Sequence, residues 1–154
     1  MLDQFDIRLL SAIQDNADLT NAELSERVAL SGSQCARRLE RLRQEGYIEK
    51  SVCVLSAKKL GLAVTAYTTI SLSSHTEEGN RRLHRFIEDA PEILECYSQT
   101  GDADFLMKIT VKDLDHLSEF LERMIHKAGG LLSVKSSIML KTIKKTNSLP
   151  LKFE

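Results

Sequence analysis

Apolar side chains at the start of the chain recur at helical spacing. Phe5, Leu9 and Ile13 lie four residues apart and form one apolar face, which predicts an amphipathic helix. The carboxylate of Asp3 can cap the first turn by accepting from backbone N–H groups, and Asn16 is the expected end. The chain is therefore predicted to open on a helix with one buried side.

A capping box and a glycine bound two further helices. Residues 20–23 read Thr-Asn-Ala-Glu, in which the hydroxyl and the carboxylate satisfy each other's backbone N–H groups and start a helix that ends near Val28. After a short turn that ends in Ser31, the next helix is predicted over residues 32–45, with Gly46 as its C-terminal stop. Two helices joined by so short a turn are a helix-turn-helix arrangement.

The third helix has an apolar face and a basic face. Cys35, Leu39 and Leu42 lie at positions i, i+4 and i+7 and are expected to pack inward. The opposite face carries hydrogen-bond donors: Ser33, Gln34, Arg37 and Arg41, with Arg38 on the flank. An arginine fork matches guanine O6 and N7, and a glutamine amide matches adenine N6 and N7. This face is therefore suited to read bases in a major groove.

Phosphate contacts are expected around the same helix. The hydroxyls of Ser31 and Ser33 and the segment from Lys50 to Lys59 suit phosphates, which position a protein without reading sequence. Beyond Gly46, the run from Tyr47 to Leu55 is predicted to form a short strand or wing. The alternative is a three-helix packing module that touches no DNA. The capping box, the short turn and the arginine-rich face together favour DNA binding.

The rest of the chain switches between strand and helix periodicity. From Val64 to Leu72 apolar side chains occupy every second position, which predicts a half-buried strand. The next predicted element is a helix that ends at Pro91. It is followed by strands over residues 93–100 and 103–111, a second helix over 113–128 and a last strand over 131–143. The order β-α-β-β-α-β is the ferredoxin-like unit, an antiparallel sheet with both helices on one face.

These elements predict an α+β protein with an N-terminal winged helix-turn-helix domain and a C-terminal ferredoxin-like βαββαβ domain. The expected hinge at Gly61 gives domains of residues 1–60 and 61–154. A sheet covered by helices on one side leaves its other face open, most simply to a second copy of the chain. Side chains expected on that face are Tyr67, Tyr97, Ser137 and Met139.

The distribution of charge supports DNA binding, although the total charge does not. The 154 residues include 21 basic and 22 acidic side chains, a net charge of −1. The segments 1–30, 31–59, 60–134 and 135–154 carry net charges of −4, +4, −5 and +4. The neutral total is thus a cancellation, and the predicted recognition segment keeps a basic footprint.

The remaining composition is typical of a cytoplasmic protein. Cys35, Cys53 and Cys96 are odd in number and widely spaced, which suits a reducing cytosol and argues against a zinc site. The acidic N-terminus lacks the basic and apolar regions of a secretory signal, and no apolar run is long enough to span a bilayer. We therefore expect no metal, no cofactor and no membrane contact.

These motifs together resemble the Lrp/AsnC family of transcription regulators. The resemblance covers nearly the whole chain, in order, and is carried by Leu2-Asp3, Asp6, Leu9-Leu10 and Ile13, by the helix-turn-helix from Glu23 to Ile48, and by Gly101-Asp102-Ala103-Asp104-Phe105-Leu106. Many relatives have proline early in the recognition helix, where this chain has Gly32 and Gln34. We therefore expect a looser helix start.

The resemblance implies a homodimer, often assembled into octamers, that binds palindromic double-stranded DNA through paired N-terminal domains. It also implies that a small amino acid binds between C-terminal domains of neighbouring dimers. By position, that site would be lined by Gly101, Asp102, Ala103, Asp104, Ser136 and Ser137. Turn N–H groups could hold the α-carboxylate, and an aspartate the α-ammonium group. Taken alone, an aspartate in a Gly-Asp hairpin is an ordinary turn residue.

Two alternatives stay open. Some proteins of this architecture resemble tetrapyrrole (sirohaem-type) decarboxylases that use His and Arg in the C-terminal half, and His84 with Arg81, Arg82 and Arg85 fits that pattern. The other is an architectural DNA binder without a ligand. No histidine has metal-binding spacing and no glycine-rich phosphate loop follows a strand, so the sequence favours a regulator that is not an enzyme.

Overall fold

The helices and strands follow the predicted order. The computed structural model describes residues 1–74 and 76–151, and His75 and residues 152–154 lie outside that description. Three helices are followed by the order β-α-β-β-α-β, so the fold is mixed α+β, as predicted. Within the described residues, no helix is both long and apolar enough to cross a membrane.

The chain divides into two compact units. One comprises Met1–Val54 with the segment beginning at Lys144, and the other comprises Leu55–Ile143. The division thus falls six residues before the predicted one between 60 and 61. The segment just before the first strand is hydrogen-bonded within the second unit, since the backbone N–H of Ala63 donates to the carbonyl of Lys112 at 3.3 Å.

The described part of the C-terminal segment is hydrogen-bonded to the first helix of the first unit. Gln14 Nε2 donates to the Leu149 carbonyl at 3.3 Å, and the Leu149 N–H donates to Gln14 Oε1 at 2.7 Å. The sequence prediction placed this whole segment in the second domain. A contact between residues 135 positions apart leaves no local pattern by which it could be recognised.

The first unit contains three helices: α1 (Gln4–Asp15), α2 (Asn21–Val28) and α3 (Gly32–Gln44). Each begins with a capping box, in which the capping side chain and the third helical residue accept from each other's backbone N–H groups. The three pairs are Asp3 with Asp6, Thr20 with Glu23, and Ser31 with Gln34. The predicted caps are therefore confirmed, as is the predicted end of the first helix at Asn16.

The turn between α2 and α3 has left-handed backbone at Ala29, with φ 56° and ψ 45°. Among the described residues it is the only one other than glycine with a positive φ. The turn folds α3 back over a small apolar core made of Leu9, Ala12, Leu24, Val28, Cys35 and Leu39. The short turn predicted from the sequence is confirmed, and its geometry is one that L-residues rarely adopt.

The predicted strand over Tyr47 to Leu55 is not formed. This run has neither helix nor strand, and a single 3₁₀ turn follows at Lys58–Leu60. A strand requires a neighbouring backbone for its N–H and C=O groups. The strands of the described residues form one four-stranded sheet, which lies in the second unit.

The second unit contains four strands and two helices: β1 (Val64–Leu72), α4 (Glu77–Asp89), β2 (Ile93–Ser98), β3 (Phe105–Val111), α5 (Leu114–Ala128) and β4 (Leu131–Ile138). The strand order is β2-β3-β1-β4, and all neighbours are antiparallel. This is the predicted ferredoxin-like order, with β2 and β4 at the edges.

The two helices cover one face of this sheet. Alternate residues of the central strands, namely Ala66, Ile70, Met107 and Ile109, form one core with buried side chains of the helices. The helix residues are Leu83 and Phe86 on α4 and Leu117, Phe120 and Met124 on α5. Tyr67 pairs with Ser137 across β1 and β4, on the opposite face, and Tyr97 on β2 is 56% exposed. The predicted open face is therefore present in the single chain.

Replacing Ala29 with glycine is expected to stabilise the first unit. Left-handed backbone costs an L-residue about 1–2 kcal/mol, whereas glycine costs roughly 0.4–1 kcal/mol through the entropy of the unfolded chain. We expect urea denaturation to show a free energy of unfolding higher by about 0.5–1 kcal/mol. The control Ala22→Gly, at an exposed position in the first turn of α2, should lower it by up to roughly 1 kcal/mol. Equal losses in both variants would contradict the prediction.

Candidate DNA-binding surface and effector site

The recognition helix α3 presents the predicted polar face to solvent. Its buried side chains are Cys35, Leu39 and Leu42, as predicted. Ser33, Gln34 and Arg37 are exposed, and the side chains of Arg38 and Arg41 are 24% and 43% exposed. The predicted inner and outer faces are thus confirmed, but the polar side chains on the outer face differ in what they already bind.

Gln34 is used in starting its own helix. Its Oε1 accepts from the backbone N–H of Ser31 at 2.9 Å and from Ser31 Oγ at 3.0 Å. The Ser33 hydroxyl lies 3.1 Å from Ser31 Oγ. This capping box orders the start of α3, so the looser helix start expected in the absence of proline is not observed. A bidentate contact with adenine would require the same Gln34 oxygen.

A buried carboxylate of α1 binds two arginines of α3. Asp6 is fully buried, its Oδ1 accepts from Arg38 Nη1 at 2.8 Å, and its Oδ2 accepts from Arg41 Nη2 at 2.6 Å. Arg38 Nη1 also donates to Asp3 Oδ2 at 2.6 Å, and its guanidinium lies over the Phe5 ring, 5.6 Å from the centroid. These contacts hold α3 against α1.

The donors around Asp6 keep it ionised. Burial raises the pKa of Asp6, but the backbone N–H of Asp3 and the guanidinium groups of Arg38 and Arg41 outweigh burial, so its pKa lies below the usual range. The pKa of Asp3 is also lowered, first by the backbone N–H of Asp6 and then by Arg38. The same two carboxylates raise the pKa of Arg38. The cluster is therefore fully charged at neutral pH.

Arg37 differs from the other arginines of α3. Arg43 lies 4.0 Å from Glu40 on the same helix. Within residues 1–74 and 76–151, Arg37 has neither an ion pair nor a hydrogen-bond partner for its guanidinium. Lys50 is also exposed. The sequence could not distinguish Arg37 from Arg38 and Arg41. Asp6, the carboxylate that binds Arg38 and Arg41, lies more than thirty residues away on α1.

The turn between β2 and β3 is fastened to the end of β1 by Asp104. Its Oδ2 accepts from the Leu72 N–H at 2.7 Å, and its own N–H donates to the Ile70 carbonyl at 2.8 Å. Gly101 has φ +117°, a conformation that requires glycine. One oxygen of Asp104 is thus used structurally, while no partner of the Asp102 carboxylate is found among the described residues.

The residue of β4 in register with this turn is Ser133. Ser71, whose hydroxyl donates to the Asp102 carbonyl at 3.1 Å, pairs with Ser133 across β1 and β4. Ser136 and Ser137 lie three and four residues farther along β4, roughly 10 Å or more away, and on opposite faces of the sheet. Within one chain the predicted effector residues therefore form two groups. Sequence reasoning missed Ser71 and Ser133 because only the strand register brings them to the turn.

The side chains of the decarboxylase alternative are not gathered into one site. Arg82 and Arg85 line a groove between α4 and α5, whereas His84 packs edge-on against the Phe105 ring, with 6.0 Å between centroids. Arg81 is in an ion pair one turn back along α4. The described part of the chain contains no group of three or more His, Cys, Asp or Glu side chains placed to bind a metal ion.

Family models match both parts of the chain. Residues 2–49 match a winged helix-turn-helix DNA-binding model, and residues 65–149 match the Lrp/AsnC ligand binding domain. The chain belongs to the Lrp/AsnC family. In this family member, α1 to α3 form the helix-turn-helix domain, and the βαββαβ unit forms the ligand-binding domain.

Its relatives are transcriptional regulators rather than enzymes. It is 34% identical over 151 residues to the DNA-binding transcriptional activator DecR of Escherichia coli, covering 98% of this chain and 99% of DecR. It is 35% identical over 154 residues to the transcriptional regulator AzlB of Bacillus subtilis, covering 98% and 96% of the two chains.

A solved structure of a relative has nearly the same fold over its whole length. The transcriptional regulator NMB0573 of Neisseria meningitidis, in complex with L-Met, is 36% identical and superposes with a TM-score of 0.93 over 98% of this chain and 97% of that one. An AsnC family regulator from Agrobacterium tumefaciens, 32% identical, gives 0.90 over 97% of each chain.

Replacing Asp6 with asparagine keeps the size of the side chain and removes its charge. We expect the free energy of unfolding at neutral pH to fall by roughly 2 kcal/mol, because Arg38 and Arg41 lose a shared partner but still reach solvent. Urea denaturation measures this change. The control Glu40→Gln breaks only the exposed pair with Arg43 and should change it by less than about 0.5 kcal/mol.

The same variant should alter acid sensitivity. The pKa of Asp6 is lower in the folded than in the unfolded chain, so its contribution is complete above about pH 4 and is lost as pH falls through the folded pKa. The stability of the native protein should therefore decrease more steeply below about pH 4 than that of Asp6→Asn. Parallel curves for the two proteins would contradict the role assigned to this carboxylate.

Proposed function

We propose that this chain is a cytoplasmic, sequence-specific transcription regulator whose DNA binding is tuned by a small amino acid. The observation that carries the proposal is a recognition helix with a capped start and, on its outer face, an arginine that has no partner among the described residues. An Lrp/AsnC ligand-binding domain follows in the same chain. The relatives DecR and AzlB, both transcriptional regulators, support this function.

In this proposal, Arg37 is the main base-reading side chain. Its guanidinium has no partner within the described residues, so it can form both bonds to a guanine without breaking an existing contact. Ser31 and Ser33, at the start of α3, and Lys50 contact phosphates. Gln34 reaches a base only through its amide NH₂ group, because its carbonyl oxygen is used in the capping box.

In this proposal, Arg38 and Arg41 position the recognition helix and do not read bases. Asp6 holds both guanidinium groups and thereby sets the position of α3 on α1. Each arginine has five N–H donors, and the bonds to Asp6 and Asp3 use only some of them. The remaining donors favour phosphate contacts at the groove edge, where geometry is less demanding than at a base pair.

The effector is a small amino acid at the turn between β2 and β3. The turn offers backbone N–H groups for an α-carboxylate, and the Asp102 carboxylate is available for the α-ammonium group. The Neisseria relative, a complex with L-Met, makes methionine the first amino acid to test. Because Ser137 lies apart from the turn within one chain, we assign it to a wall that a neighbouring chain supplies. Ser136 lies on the opposite face of the sheet, where its hydroxyl is 2.8 Å from Oγ1 of the buried Thr68, so we leave it out of the site.

The working unit is a homodimer that assembles further, up to an octamer. The open sheet face offers a surface for a second copy, and aromatic side chains such as Tyr97 lie on it. A two-fold dimer presents two recognition helices, which suits palindromic double-stranded DNA.

Replacing Arg37 with alanine should weaken binding to the preferred operator, selected in vitro from random DNA. We expect a loss of roughly 10- to 100-fold, because a bidentate arginine–guanine contact contributes about 1–3 kcal/mol. Preference at one base position should relax. Fluorescence anisotropy on the operator and on its single-base variants measures both effects.

Two further variants separate base reading from phosphate binding. Lys50→Ala should weaken binding to every sequence alike and reduce the slope of affinity against salt by about one. Arg43→Ala removes an arginine of the same helix that is already paired with Glu40 and should leave base preference unchanged. If Arg37→Ala lost affinity equally on all sequences, direct reading by Arg37 would be wrong.

An amino-acid effector should stabilise the native protein. At 100 times its dissociation constant, a ligand raises the free energy of unfolding by about 2.7 kcal/mol, which thermal denaturation with each of the twenty amino acids detects. Asp102→Ala should abolish the shift, and the control Glu122→Ala, an exposed carboxylate on α5, should preserve it. No shift with any amino acid would favour an architectural DNA binder.

A further inference from the structure

The second unit contains a groove on its helical side. It lies between α4 and α5, has a volume of about 550 Å³ and is also lined by the segment that leads into β2. Phe86, Ala90 and Pro91 form its apolar part. A cavity of this size is in the range that holds small metabolites and is far larger than a bare ion requires.

Cations dominate the polar lining of this groove. Arg82 and Arg85 come from α4, and Arg123 and Lys127 from α5. Arg123 forms an ion pair with Glu92, which neutralises both. Within the described residues, the other three cations have no ion-pair partner. The second unit as a whole carries a net charge of −1, so the positive charge of this groove is opposite in sign to that of the unit.

The charge that a ligand must supply can be read from these side chains. Arg82, Arg85 and Lys127 provide three positive charges and Asp89, which also lines the groove, provides one negative charge. The unbalanced charge is about +2. A phosphate monoester carries about −1.5 to −2 at neutral pH, and its three terminal oxygens accept hydrogen bonds from several donors at once. A single carboxylate would leave half of this charge unbalanced.

We propose that this groove binds a small metabolite through a phosphate monoester group. Arg85, Arg82 and Lys127 hold the phosphate, and the organic part lies over the apolar surface of Phe86 and Pro91. Hydrogen-bond donors on the organic part reach Asp89. The ligand is thus a phosphorylated small molecule that carries hydroxyl or amino groups.

A DNA backbone is the other source of phosphate groups, and the lining argues against it. Asp89 lies among the cations, and a rigid duplex that presents negative charge along its whole length would be repelled by this carboxylate. A small ligand can direct its phosphate away from Asp89.

The groove is separate from the effector turn. Glu92 lies just before β2 and the turn follows its end, so the six residues of β2 separate the two sites by roughly 20 Å. The two sites share no residue. A ligand in the groove therefore does not compete with an amino acid at the turn, and the proposal does not rest on DNA binding.

Isothermal titration calorimetry of the full chain with ribose 5-phosphate, inorganic phosphate and ribose tests the proposal. We expect ribose 5-phosphate to bind, inorganic phosphate to bind more weakly, and ribose not to bind. Arg85→Gln and Lys127→Gln should each weaken ribose 5-phosphate binding about tenfold, the effect of losing one charged hydrogen bond. The matched control is Arg81→Gln, on the same helix, which pairs with Glu77 outside the groove and should bind as the native protein does.

Four results would overturn the proposal. One is no binding of either phosphate compound, and another is an equal loss of binding in Arg81→Gln, which would indicate a general effect of charge. The third is unchanged ribose 5-phosphate binding in the two groove variants. The fourth is weaker DNA binding by those variants, which would make the groove a contact for the DNA backbone instead. Thermal denaturation of each unliganded variant checks that it is folded, as expected for substitutions of exposed side chains.

Discussion

The ionised carboxylate of Asp6 is the contact on which the first domain depends. A small domain buries little apolar surface, and here the core between α1, α2 and α3 consists of only a few side chains. Asp6 adds a polar link between the start of α1 and the middle of α3, with donors on both of its oxygens. A buried charge is tolerated only when it is paired in this way, so the link is specific to one arrangement of the two helices.

This link also gives the basic residues of the recognition helix different roles. Arg38 and Arg41 neutralise carboxylates of α1, and therefore part of the +4 charge counted along the recognition segment is balanced inside the domain. Arg37, one residue before Arg38, points to solvent and keeps its full hydrogen-bonding capacity. Two neighbouring residues of the same type thus have different environments, because helical geometry turns consecutive side chains by about 100°.

In the second domain, strand β2 separates two chemically distinct ends. At one end Asp104 fastens the turn to β1 and leaves Asp102 and backbone donors exposed. At the other end, Glu92 pairs with Arg123 beside a groove rich in cations. One end offers the mixed donors and acceptors that a zwitterion needs, and the other an excess of positive charge. The second domain thus presents two surfaces that suit chemically different ligands.

Local patterns in the sequence determined the helices, their caps and the order of helices and strands along the chain. Capping boxes, apolar periodicity and glycine stops act between residues a few positions apart, as the start of α3 at Ser31 illustrates. Only the tertiary structure decided that Arg38 and Arg41, but not Arg37, find a carboxylate among the described residues. It also decided that Ser133 and not Ser136 lies beside the turn, and that Leu149 is hydrogen-bonded to Gln14. Each of these depends on a partner more than thirty residues away or on strand register. No local pattern encodes them, since they arise only when distant segments pack together.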